Sequence, residues 1–343
     1  MKDVNLFGSW LTVNRSCNFR CLWCYAKGTE YREEDDMSWD LAQKLIDLET
    51  EIGIKNIIFI GGEPTLWKDL YKANDYVKKK GMTSCLVTNG FLFSHDEFIK
   101  KLNDSPFDNM TVSLKAGNEE QSRELTKTNS FSGVLTGIQN LARNRHIFDV
   151  SITLNALISN NLSELVKVAM DNGSKGVKIE FCATVFEGNK PNRGYMMHQK
   201  EVVKCILSHY DKMDYYTKGN LMIEMSIPFC LWPNDFINSL KKKGAIISGC
   251  HVVRREGLIF DPKGKLIPCN DLHDYPLGQY GVDFFDVKSF LSFWKRPDLV
   301  KFYDRLIAYP VERCISCDSF KDCCGGCPLQ WITFDPKEVI PAS

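Results

Sequence analysis

Short apolar runs alternate with longer amphipathic stretches from residue 6 to about residue 215. The runs are LFGSWLTV (6–13), NIIFIGG (56–62), SCLVTN (84–89), NMTVSLK (109–115), VSITLNALI (150–158) and VKIEFCATV (177–185). Between them, spacing near the helical period predicts helices around 39–52, 66–80, 94–103, 131–144, 160–172 and 197–214. Strand–helix alternation of this kind predicts βαβ units and a parallel sheet. The strands are apolar throughout, as parallel strands covered on both faces usually are. Six repeats fit an α/β fold built as a partial (β/α)6 barrel, with a doubly wound sheet as the alternative; both place ligands at the C-terminal ends of the strands. After about residue 215 the rhythm gives way to short segments, turn signals such as DPKG (261–264) and many cysteines. The expected division is a barrel over 1–215 and a small cysteine-rich domain over 216–343.

Composition narrows the function. A chain of 343 residues, 44% of them hydrophobic, buries a sizeable core. Lys+Arg and Asp+Glu both number 43, so no field of one sign recruits nucleic acid or an anionic membrane. The KKK runs at 78–80 and 241–243 read as exposed faces. No segment reaches the ~20 apolar residues of a membrane span, and the N-terminus carries no signal-peptide pattern. A cytoplasmic location is expected by default. Fourteen cysteines are then the anomaly, since thiols in a reducing compartment point to metal or redox chemistry rather than disulfides.

Cys17, Cys21 and Cys24 follow the first expected strand and so lie on a loop at its C-terminal end. Three thiolates on one loop can hold three corners of an iron–sulfur cubane and leave the fourth iron open. Zinc is the rival, but a structural zinc takes four closed ligands, and no fourth Cys or His stands nearby. The second strand runs into Gly61-Gly62-Glu63-Pro64, where two glycines let backbone approach a ligand closely. The third ends in Thr88-Asn89-Gly90 and the fourth in Ser113-Leu114-Lys115.

In this order the motifs resemble the radical S-adenosylmethionine (SAM) superfamily, whose CxxxCxxC pattern usually has an aromatic before its last cysteine, here Trp23. The resemblance covers roughly residues 6–190. It implies one [4Fe–4S] cluster on Cys17, Cys21 and Cys24, with the open iron chelating the amino and carboxylate groups of SAM. It also implies reductive cleavage of SAM to a 5′-deoxyadenosyl radical that abstracts a substrate hydrogen. By the same resemblance Trp23 packs near the adenine, the GGEP segment (Gly61, Gly62, Glu63, Pro64) binds the SAM amino group, and Asn89, Ser113 and Lys115 are further SAM contacts.

The C-terminal cysteines read Cys314-x2-Cys317-x5-Cys323-x3-Cys327, preceded by Cys250 and then Gly264-x4-Cys269. Soft thiolates suit zinc or Fe–S clusters alike. The two patterns together resemble the SPASM domain of radical SAM enzymes, which implies two auxiliary [4Fe–4S] clusters. Cys250, Cys269 and Cys327 would hold the first, and Cys314, Cys317 and Cys323 the second. The family's last cysteine has no counterpart in PLQWITFDPKEVIPAS. Cys324 is a poor substitute, because adjacent cysteines on one cubane would be strained. For the first cluster's fourth ligand the candidate is Cys230, which otherwise reads as a small buried hydrophobe.

Cys182, late in the sixth strand, could return a hydrogen atom to a substrate radical or simply pack in the core. Asp271, in CNDLHDYPLG with His273 and Asp274, could act as a base or sit solvated on a loop. Cys85 and Cys205 read as packing residues and His251 as a satisfied polar group. Most enzymes with this architecture mature ribosomally made peptides, so the expected function is oxidation or thioether or C–C crosslinking of a peptide or protein substrate. Small-molecule oxidation, decarboxylation or epimerisation is the alternative, and a zinc-stabilised binding module the non-catalytic one. A sulfatase-maturing role would place Asp where Asn270 stands. Expected partners are a flavodoxin- or ferredoxin-type electron donor and, because the first strand starts within ten residues of the N-terminus, a separate leader-peptide-binding protein where a leader is used.

Overall fold

The computed structural model describes residues 6–26, 35–187, 190–192, 194–307 and 310–340. The elements run in chain order as β1 (Gly8–Thr12), α1 (Trp39–Ile52), β2 (Asn56–Ile60), α2 (Leu70–Lys79), β3 (Thr83–Thr88), α3 (Asp96–Asp104), β4 (Asn109–Ser113), α4 (Glu119–Thr126), α5 (Phe131–Arg143), β5 (Phe148–Leu154), α6 (Leu162–Asp171) and β6 (Val177–Phe181). A hairpin of β7 (Val185–Glu187) and β8 (Lys190–Asn192) precedes α7 (Gln199–Thr217), β9 (Leu221–Met225), α8 (Asn234–Lys243), β10 (Ile246–Ser248), α9 (His251–Arg254) and β11 (Gly257–Phe260). Then come β12 (Lys265–Leu266), β13 (Gly278–Gln279), α10 (Val287–Trp294), α11 (Pro297–Ile307) and α12 (Phe320–Cys323).

All six expected strands form, in order, at the centre of one α/β sheet. The sheet is longer than six strands: its order is β10-β9-β6-β5-β4-β3-β2-β1-β11-β12-β13. Neighbours from β10 to β11 pair in parallel; β12 and β13 close one end antiparallel. The expected division at 215/216 falls at the end of α7, and the sheet crosses it, because β9 pairs with β6 and β11 with β1. Of these added strands, β10, β11, β12 and β13 are only two to four residues long, too short to leave a periodic pattern. The expected strand over 177–185 stops at Phe181. Thr184 turns away, its hydroxyl bonded to the Leu329 carbonyl and the Thr333 hydroxyl, and Val185–Glu187 pairs with Lys190–Asn192 instead.

Helix α1 shows why the elements form where they do. Ser38 caps it by accepting from the Leu41 amide, Gly53 ends it at φ +100°, and Ala42, Leu45, Ile46 and Leu48 are buried on one stripe. Helix α4 was not expected, since its sequence EEQSRELT carries little apolar periodicity. It is started by Asn118, whose side chain accepts from the Gln121 amide at 2.8 Å. Its other end is used by the cysteine loop.

Candidate active site

The loop after β1 is pinned from three sides. From β2, the Gly62 amide donates to the Asn14 carbonyl (3.0 Å) and the Glu63 amide to the Ser16 carbonyl (2.7 Å). From α4, the Thr126 and Leu125 carbonyls accept from the Arg20 (2.8 Å) and Leu22 (3.0 Å) amides. Carbonyls at a helix C-terminus lack partners within the helix, so the cysteine loop and α4 satisfy one another. From within the loop, the Tyr25 hydroxyl donates to the Gly61 carbonyl at 3.1 Å. The two glycines serve this contact. A Cβ on Gly62 would lie 2.3 Å from the Ser16 carbonyl oxygen, and one on Gly61 2.2 Å from Asn14 Oδ1. The close approach that sequence assigned to a ligand is thus, in the structure, an approach of the cysteine loop.

A cavity of about 290 Å³ opens at the C-terminal ends of the strands, lined by Cys17, Cys21, Cys24 and Trp23 from the loop. Gly61, Gly62 and Glu63 follow β2, and Thr88 and Asn89 end β3. Ser113 ends β4 and Lys115 follows it, and Glu180, Cys182 and Asp271 also line the cavity. All of these except Thr88 and Glu180 were singled out by sequence. Tyr25, Phe19 and Thr153 also line it; nothing in their sequence context separated them from core residues. Pro64 stands beside the cavity and begins a one-turn helix (Pro64–Leu66) capped by the Glu63 side chain.

Glu63 is 1% exposed yet well bonded. Its Oε1 accepts from the Thr65 amide (3.1 Å), the Thr65 hydroxyl (2.6 Å) and the Thr88 hydroxyl (2.7 Å), and its Oε2 from the Asn89 amide (2.7 Å). Burial raises its pKa and these four donors oppose the rise. The carboxylate therefore ties the ends of β2 and β3 together. Asn89 in turn donates to Asn18 Oδ1 at 2.7 Å, joining β3 to the cysteine loop. Ser113 shares a hydrogen bond of 3.2 Å with Ser151.

Burial, helped by the neighbouring Glu63, pushes the Cys17 thiol up to about 12. Burial also raises Cys21 to about 11 against the pull of the Lys115 ammonium. Bare thiols here stay protonated; soft cations would deprotonate and bind them. Among the described residues, no three His, Cys, Asp or Glu side chains converge as ligands of one metal ion do. A cubane makes a different demand, one thiolate to each of three irons, and three thiols on one cavity wall meet it.

Cys182 is 6% exposed, its Sγ 3.4 Å from the Ala183 carbonyl, and burial raises it to about 12. Asp271 is drawn up to about 6 by burial, with its Oδ2 3.4 Å from Cys269 Sγ. Asn270 turns the other way and accepts from the Thr12 hydroxyl at 3.1 Å. His251 is wedged between Phe7 and Trp10 and does not line the cavity.

The C-terminal cysteines gather in two groups. Cys269 feels Cys327 and Cys250, and Cys327 feels Cys250. Cys314 feels Cys317. Cys230 corrects the sequence expectation: it stands with Cys314, Cys317 and Cys323 and not with the first group. It is also exposed, whereas its packing reading required burial.

Residues 11–171 match the model of the Radical SAM superfamily, and the chain carries a radical SAM domain. Over 139 residues the chain is 33% identical to an Fe-coproporphyrin III synthase of Methanosarcina barkeri, covering 40% of this chain and 34% of that protein. Over 130 residues it is 31% identical to a probable GTP 3′,8-cyclase of Methanococcus maripaludis, covering 38% and 43%. The chain thus spans less than half the length of these relatives. Among solved structures, anSMEcpe with bound AdoMet and the Kp18Cys peptide superposes with a TM-score of 0.69 at 18% identity, over 94% of this chain and 89% of that one. SuiB of Streptococcus suis bound to precursor peptide SuiA gives 0.69 at 16%, over 98% and 75%. At this identity the likeness is one of fold, and it extends over the cysteine-rich C-terminal region of this chain. Among the described residues no helix is long and apolar enough to cross a membrane.

Proposed function

We propose that this chain is a radical SAM oxidoreductase that modifies a peptide or protein substrate, giving an oxidised or crosslinked product. The observation that carries the reading is that one cavity is lined both by Cys17, Cys21 and Cys24 and by Asp271, two residues past Cys269. The donor set fits a cubane with one open iron, which, reduced by one electron from a flavodoxin- or ferredoxin-type donor, would cleave SAM to methionine and a 5′-deoxyadenosyl radical. The chain's own residues do the rest. Trp23 and the backbone of Gly61–Glu63 border the space next to the thiols, and Lys115 offers a cation for a carboxylate. Asn89, through Asn18 and Glu63, holds that space rigid. Asp271, which lines the same cavity, would take a proton from the substrate. The C-terminal cysteine groups would hold auxiliary clusters that accept the electron left behind, and a flavodoxin- or ferredoxin-type protein would exchange electrons with them. The division into a barrel (1–215) and an auxiliary-cluster region (216–343) is then one of chemistry, since the sheet spans both.

Peptide complexes among the fold neighbours support a peptide substrate. Relatives named for GTP and coproporphyrin chemistry favour a second reading, radical chemistry on a small molecule. Anaerobic reconstitution with iron, sulfide, SAM and dithionite, followed by mass spectrometry, tests both. The expected results are 5′-deoxyadenosine and a mass change in a peptide. Product from a small molecule alone would replace the first reading by the second. Undiminished 5′-deoxyadenosine from the combined Cys17→Ala, Cys21→Ala and Cys24→Ala variant would refute the site.

A further inference from the structure

Cys323 and Cys324 are adjacent in sequence but do not serve the same place. Cys323 ends α12, and the Phe229 amide donates to its Sγ at 3.4 Å. Cys230 follows Phe229 in the short turn Phe229–Leu231, so this contact brings Cys230 beside Cys323. Cys230 in turn is next to Cys314 and Cys317, whose charges both act on it.

Cys324 is different. It adopts the left-handed conformation, at φ +53° and ψ +18°. That conformation costs a non-glycine residue roughly 1–2 kcal/mol and reverses the chain direction, so consecutive side chains leave on different sides. The strain is held by its surroundings. The Cys324 amide donates to the Phe320 carbonyl at 2.7 Å, and the Cys327 amide to the Ser226 carbonyl at 2.8 Å. Arg254 Nη2 donates to the Lys321 carbonyl at 2.7 Å, tying α12 to α9, whose N-cap is Cys250. Cys324 is buried and acts on Cys250.

We infer that the αL turn at Cys324 splits the adjacent pair between two clusters. Cys324 completes one four-thiolate set with Cys250, Cys269 and Cys327, and Cys230 completes another with Cys314, Cys317 and Cys323. The inference rests on the reading that these groups bind auxiliary clusters. It uses eight cysteines that otherwise leave each set one ligand short, and it replaces the missing C-terminal cysteine with Cys230. Strain between neighbours on one cubane does not arise, because each neighbour binds a separate one. It also makes both auxiliary cubanes closed, so that neither offers an open iron to substrate.

The test is reconstitution of the full chain in a Cys17→Ala, Cys21→Ala, Cys24→Ala background, so that only auxiliary clusters contribute, read by iron content and Mössbauer spectra. The parent is expected to hold about eight irons, all thiolate-ligated. Cys230→Ser and Cys324→Asn (an αL-tolerant residue that spares the turn) should each halve the iron or add a distinct, non-thiolate iron signal. Combining Cys230→Ser with Cys314→Ala should cost no more iron than one cluster, whereas combining it with Cys269→Ala should remove both. Cys85→Ser and Cys205→Ser should leave the spectrum unchanged. Spectra of Cys230→Ser and Cys324→Asn identical to the parent's would overturn the assignment. A parent holding no iron, or zinc in its place, would instead sink the auxiliary-cluster reading beneath it.

Discussion

Replacing Gly62 by alanine isolates the contact on which the cysteine loop depends. The new methyl would stand 2.3 Å from the Ser16 carbonyl oxygen and 2.5 Å from that of Arg15. Both are backbone atoms, so no side-chain rotation relieves the overlap and the loop must move away from β2. Overpacking of this kind costs about 1–3 kcal/mol. The shift also stretches the Gly62-to-Asn14 and Glu63-to-Ser16 hydrogen bonds, worth about 1 kcal/mol each. The total, about 3–5 kcal/mol, falls on the loop, while the core of the sheet is untouched. At ~1.4 kcal/mol per tenfold, the loop should hold its cluster at least a hundredfold more weakly. Anaerobic iron titration and 5′-deoxyadenosine formation would read the loss, and far-UV circular dichroism would show the sheet intact. Gly53→Ala is the control: its φ of +100° strains any side chain, but nothing lies within 4 Å and it is far from the loop. If Gly62→Ala assembles the cluster as tightly as the parent does, the argument that these glycines exist to seat the cysteine loop is wrong.

Glu49 is fully buried on α1, and neither carboxyl oxygen has a hydrogen-bond partner. Burial raises it from 4.5 to about 8, with the nearby Ser9 hydroxyl offsetting a little. A raised carboxyl pKa penalises the folded state as pH rises from 4.5, with the penalty complete above pH 8. Glu49→Gln should therefore leave Tm unchanged near pH 4.5 and raise stability progressively to pH 8, by up to ~5 kcal/mol at 1.36 kcal/mol per pH unit; a pH-independent effect would contradict this. Lys115→Met should raise the KM for SAM about tenfold (~1.4 kcal/mol) with kcat within a few-fold, as loss of one partly exposed cation implies; an unchanged KM would remove Lys115 from the SAM site. Asp271→Asn should keep 5′-deoxyadenosine formation while cutting substrate product at least a hundredfold, as loss of a base implies; parallel losses in both would assign it to binding instead.

How much was legible depended on the range of the interaction that carries it. Strands β1 to β6 and their helices were readable because burial on both faces of a parallel sheet leaves continuous apolar runs. Helix α4 was not, because it is held by its Asn118 cap and by amides of the cysteine loop, which leave no periodic trace. Cysteine spacing marked the triplet Cys17, Cys21 and Cys24 and the run Cys314 to Cys327, since ligands on one turn are near in sequence; the division of the C-terminal cysteines into two sets came from the resemblance to the SPASM domain. The neighbours of Cys230 were not legible, because Cys314, Cys317 and Cys323 lie some ninety residues away and the Phe229-to-Cys323 contact brings them close.

The local sequence by itself determined the six strands with their alternating helices, the loop that carries Cys17, Cys21 and Cys24, and the GGEP turn after the second strand. Those features follow from neighbours along the chain. Only the tertiary structure decided that Gly61 and Gly62 make room for the loop, that Asp271 and Cys182 line one cavity with its thiols, and that Cys324 turns left-handed directly after Cys323. Each of those is a matter of direction. A side chain's direction is set by backbone angles and by remote packing, and residue order records neither.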